Sequence, residues 1–122
     1  MASLAEFDSL ATELVALREY LEQKETRARQ LRYQLTLDML GVSAVGTKLR
    51  VVFPQRRPET WVVRGMDELG NVVVKPTSAT VQPHHEAFTR IELGLLRANK
   101  YDGAELPRLV PMLSEHALRF PS

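Results

Sequence analysis

The feature that most limits how this chain can fold is a stretch with no glycine and no proline, running from residue 3 to residue 40. Ser3-Leu4-Ala5-Glu6 opens it as a capping box, in which Ser3 accepts from the amide three residues on and Glu6 reaches back. Good helix formers follow, and Gly41 supplies a left-handed stop. The spacing predicts one helix of roughly 37 residues, about 55 Å long at 1.5 Å per residue.

Its apolar residues recur every seven. Phe7, Leu14, Leu21, Ala28 and Leu35 share one heptad position, and Leu10, Leu17 and Leu31 share the position three further on. Lys24 breaks the second row and Asp38 ends it. Such a narrow seam is the pattern of a coiled coil, not the wider stripe of a helix lying on a globular core. Glu13 precedes Arg18 by five residues, the separation at which charges meet across parallel strands. Tyr20 and Glu25 are neutral in this respect, whereas Arg27 and Arg32 repel.

Length turns this pattern into an argument for association. A compact domain of 122 residues has a radius of gyration near ~14 Å, so the rod projects beyond it. A projecting leucine seam needs a cover, whether a second copy, a partner helix or a larger assembly. A helical hairpin broken near Lys24-Glu25-Thr26 is the alternative, but no turn residue stands there. Self-association is therefore expected through Phe7, Leu10, Leu14, Leu17, Leu21, Leu31 and Leu35, with a homodimer as the leading stoichiometry. Lys24 and Ala28 in mid-seam weaken a dimer locally and help fix its register. Lys24, Arg27, Arg29 and Arg32 read as a solvated flank in preference to a phosphate-binding ridge. A leucine-zipper transcription factor is disfavoured, because its basic region would precede the zipper.

After Gly41 the pattern changes. Residues 41–46 form a linker bounded by glycines, and beyond it the period is two. Residues 47–53 alternate, with Leu49, Val51 and Phe53 opposed to Lys48 and Arg50. Pro54 ends that strand, residues 60–66 form a second, and the loop Asp67-Glu68-Leu69-Gly70 leads into a third over 71–75. A short strand around 79–82 and another over 88–93 are also expected. Four or five short strands favour a small barrel, SH3-like before OB-type, since an open sheet of this size leaves edges exposed. Beyond residue 93, Leu106, Leu109, Val110 and Leu113 show helical spacing interrupted by Pro107 and Pro111, which predicts a short helix from near Pro111 to about Arg119.

The fold class that follows is α+β: a coiled-coil helix (3–40), a linker (41–46), a small SH3-like β-barrel (47–93) and a C-terminal extension with a short helix (94–122).

Composition limits function. Net charge is +1, with five basic and seven acidic groups in residues 1–40 against seven and five in residues 41–93. That tilt is far from the footprint of a dedicated nucleic-acid binder. There is no cysteine, so no thiolate metal site, disulfide or thiol nucleophile exists, which accords with a reducing compartment. No apolar run nears the ~18 residues of a membrane span and the N-terminus lacks a signal-peptide pattern. A cytoplasmic protein with no membrane association is expected.

Candidate sites are few. Pro54-Gln55-Arg56-Arg57-Pro58 holds two arginines beside Trp61, a pairing that suits phosphate or base contacts. The plainer reading is a solvated connection with Trp61 in the core. Adjacent His84 and His85 on a strand would point to opposite faces and His116 is distant, so no metal site is expected. Ser114-Glu115-His116 lies together in sequence only, and no Gly-rich phosphate loop exists. The chain reads as a non-enzymatic assembly protein that needs no cofactor, binds itself or a partner helix, and presents its barrel to a protein. The alternative is a dimeric nucleic-acid-binding accessory or regulator using Lys48, Arg50, Arg56, Arg57 and Arg64.

Overall fold

The structure, a computed structural model, describes residues 1–43, 45–78 and 82–112. The glycine-free stretch is one unbroken helix, α1 (Leu4–Leu40, 37 residues). Ser3 caps it, its Oγ accepting from the Glu6 N–H at 3.4 Å. The far end closes as a Schellman motif. Gly41, at φ 75°, donates to the Asp38 carbonyl, and the Val42 N–H reaches back to the Leu37 carbonyl, both at 3.1 Å. Buried Leu37 and Val42 make the apolar contact that accompanies such a stop.

Five strands follow: β1 (Lys48–Val52), β2 (Glu59–Met66), β3 (Val72–Pro76), β4 (Arg90–Ile91) and β5 (Arg108–Pro111). They form one antiparallel sheet in the order β4-β3-β2-β1-β5, curled into a half-barrel. Two short helices, α2 (Pro83–Glu86) and α3 (Leu93–Arg97), flank β4. Strand alternation sends Leu49, Val51, Trp61, Val63, Val72 and Val74 into the concave side, where none is exposed. Leu37, Leu40, Val42, Phe53, Phe88 and Ile91 complete that core. The α+β architecture is thus present.

The register between β2 and β3 shifts at Val63 and Gly65, a bulge that leaves Arg64 without a partner opposite. The turn after it is organised by Asp67. Its Oδ1 accepts from the Leu69 and Asn71 amides at 3.0 and 2.8 Å, and its Oδ2 from Asn71 Nδ2 and Arg90 Nε at 3.1 and 2.9 Å. Burial pushes the Asp67 carboxyl up, but these four donors outweigh it and hold it below its ordinary value.

Sequence reading departs from the structure in the second half. Residues 108–111 are a strand paired with β1, although Leu106, Leu109 and Val110 are spaced as on a helix. Pro107 and Pro111 account for the difference, since fixed φ and a missing donor disfavour a helix interior but are tolerated on an edge strand. The helix expected to run on to Arg119 lies mostly over residues 113–122, outside the described residues. The strand expected over 88–93 shortens to Arg90–Ile91, because Leu93 already begins α3. The strand expected around 79–82 lies largely outside the described residues, and Gln82 caps α2.

Candidate functional site

Three surfaces carry the residues singled out above, and the first is the helix. Its contacts with the half-barrel come from Tyr33, Thr36, Leu37 and Leu40, with Arg29 and Arg32 on the β2–β3 turn. A Cβ on Gly70 would stand 2.6 Å from the Arg29 carbonyl oxygen, and Arg32 Nη1 donates to the Leu69 carbonyl at 3.2 Å. In heptad terms most of these residues lie on the side opposite the seam. Phe7, Leu10, Leu14, Leu17, Leu21, Leu31 and Leu35 keep between 44% and 67% of their surface exposed. The helix therefore has two apolar faces, and only the shorter one is occupied by its own half-barrel.

The second surface is the outer side of the sheet. Lys48 and Arg50 alternate out of β1, and Lys48 pairs with Val62 and Arg50 with Thr60. Arg64 lies on the same side of β2, Lys75 opposes Val62 from β3, and Arg108 opposes Val52 from β5. All five cations are exposed, and none has an acidic partner among the described residues. Arg90 also emerges here but is engaged by Asp67. The other outward positions are Val52, Thr60, Val62, Val73 and Val110, so this face bears no acid and no aromatic ring. Three of the five residues expected to contact nucleic acid are thus brought together, with Lys75 and Arg108 added. The sequence alone gave no signal for Arg108, because the pairing that brings β5 beside β1 is long-range.

Arg56 and Arg57 are placed elsewhere. Gln55, at φ 57°, turns their loop, and both line a cavity with Glu59, His84 and His85. Trp61 is fully buried, in contact with the Phe53, Phe88 and His85 rings.

This cavity holds the third surface, which the sequence did not disclose. Residues 83–86 form a helical turn, so the adjacent histidines converge on Glu59 where a strand would have separated them. Glu59 accepts from His84 Nε2 at 2.7 Å and from His85 Nε2 at 2.6 Å. Burial raises the Glu59 carboxyl, but the two imidazoles outweigh that and leave it below its ordinary value. The Gln82 N–H donates to His85 Nδ1 at 3.0 Å, which puts the ring hydrogen on Nε2, facing Glu59. Ligand atoms of the three side chains lie within 4.8 Å of one another, close enough for a metal ion. A metal on His85 Nε2 would drive that hydrogen onto Nδ1, against the Gln82 N–H, whereas a ligating histidine normally donates from its second nitrogen. The triad fits a hydrogen-bonded clasp between β2 and α2 better than a metal centre.

Set against protein-family models, curated proteins and solved structures, the chain matches none of them. Its function has to be read from these surfaces. No described helix is long and apolar enough to cross a membrane.

Proposed function

We propose that this chain is a non-enzymatic assembly protein that self-associates through α1 as a coiled coil and presents its half-barrel to a protein partner. The observation that carries the reading is the two-faced helix. Its C-terminal turns grip the half-barrel from one side, while the leucine seam runs the full length of the other. Zipping two copies along the seams leaves both half-barrels on the outer flanks of the rod. Full burial of a large apolar side chain contributes about 1.5–3 kcal/mol, and the seven per helix, still 44% to 67% exposed, have roughly half of that left to gain on pairing. The bond from Arg32 to the Leu69 carbonyl draws that cation toward its own half-barrel, which eases the Arg27–Arg32 repulsion expected of a parallel pair. The strand order β4-β3-β2-β1-β5, with the last strand returning beside the first, supports an SH3-like barrel as the displayed module. A cytoplasmic setting accords with the absence of cysteine.

The test is the pair Leu14→Glu with Leu21→Glu. Light scattering should give a mass of 13.8 kDa for the variant, with unchanged fluorescence from Trp61, the only tryptophan. A variant that keeps the wild-type mass overturns the coiled coil.

A second reading, a dimeric nucleic-acid-binding accessory or regulator using Lys48, Arg50, Arg56, Arg57 and Arg64, is favoured by one observation. Three of these cations share an acid-free sheet face, in a chain of net charge +1.

A further inference from the structure

We propose that the outer face of the half-barrel binds B-form duplex DNA, its marginal cations taking the phosphates on the two walls of the major groove. This inference rests on the second reading above and names the form of nucleic acid.

The face is a charge array on a rigid lattice. Lys48 and Arg50, two residues apart on β1, stand about 7 Å apart along the strand. Lys75 on β3 and Arg108 on β5 lie at the margins, three strand spacings or about 14 Å apart across the sheet and, by register, four residues or about 13 Å apart along it. Because the core fills the concave side, this outer face is convex. The major groove of B-form DNA is about 12 Å wide and admits a two-stranded ribbon, so on this convex face β1 and β2 can enter it while the cations on the flanking β3 and β5 reach the two phosphate strands. Beside Lys48 and Arg50, the strands between the margins carry Val52, Thr60 and Val62, small side chains that do not hold the backbone away.

What the face lacks is as informative. Single strands are gripped by stacking bases on aromatic rings. Among the described residues, Phe53, Trp61, Phe88 and Tyr101 are the aromatics beyond α1, and all are packed in or against the core. A-form RNA presents a major groove too deep and narrow for side chains to enter. The observations therefore select duplex DNA over single strands and over duplex RNA. The face carries no carboxylate or amide to read cytosine or adenine edges, and we assign its cations to phosphate.

The experiment is fluorescence anisotropy of the full chain with a 25-base-pair DNA duplex, its single strand, the RNA duplex of the same sequence, and poly-glutamate as competitor. DNA duplex should bind tightest, with log affinity falling against log salt at a slope of about −4 for each half-barrel engaged. Lys48→Glu with Arg50→Glu should weaken binding at least tenfold. Arg97→Glu with Lys100→Glu, which changes net charge equally at exposed positions off the sheet, should change it less than threefold. Mass and Trp61 fluorescence verify that both variants fold. Single strand or RNA bound as tightly as the DNA duplex overturns the groove geometry and leaves the broader nucleic-acid reading in place. No binding of any nucleic acid at about 50 mM salt overturns both. Poly-glutamate displacing the duplex at equal charge identifies an acidic protein as the occupant and overturns the proposal.

Discussion

Gly70 is the residue that lets the β2–β3 turn lie against the backbone of the helix. Its φ of 89° is left-handed backbone, and a Cβ there would sit 2.6 Å from the Arg29 carbonyl oxygen. Gly70→Ala is expected to cost about 1–3 kcal/mol, read as a fall in unfolding midpoint. Gly94→Ala, in α3 with open space around it, serves as the control and should be near neutral. Equal effects would mean that the turn does not hold the helix. Glu59 acts at the same scale. Its carboxyl titrates below the ordinary 4.5, so its stabilisation is complete above that value and is lost as pH falls through the lowered folded value. Glu59→Gln should be less stable at neutral pH and should lose less stability than wild type between about pH 5 and pH 3. Parallel acid curves would show that the clasp contributes nothing. Neither residue's role was legible beforehand. Glu59 meets His84 and His85 across 25 and 26 residues, and the histidines converge only because residues 83–86 wind into a turn.

Elements were easier to read than sites, and the reasons are local. Helix α1 was legible to the residue because its cap, its uninterrupted composition and its glycine stop all act within a few positions. Strands β1, β2 and β3 followed from alternation and turn residues. Strand β5 was not legible, because helical spacing of three leucines and a valine outweighed two prolines until β1 was there to pair with it. The division of α1 into two faces also needed tertiary contacts. It yields a direct comparison. Leu37→Ala, in the core, should destabilise the half-barrel by about 2–5 kcal/mol as reported by Trp61. Leu35→Ala, two residues away on the seam, should leave that transition unchanged and weaken only self-association. A Leu35→Ala variant whose Trp61 transition falls as far as that of Leu37→Ala would contradict the two-faced helix.

At the scale of the whole molecule, a long rod is fixed by its last turns to a small half-barrel, leaving exposed the apolar seam, which we propose pairs with a second helix, and the cationic sheet face, which we propose binds a polyanion. The two are linked in effect, because pairing the rods joins two cationic faces and raises their effective concentration along one ligand. The assembly reading depends on the seam being covered by a second copy. The measurement that tests it most directly is absolute mass by light scattering over a tenfold concentration range. A stable multiple of 13.8 kDa, most simply two, is the expected result. A monomer at every concentration would contradict self-association and assign the leucine row to a different protein.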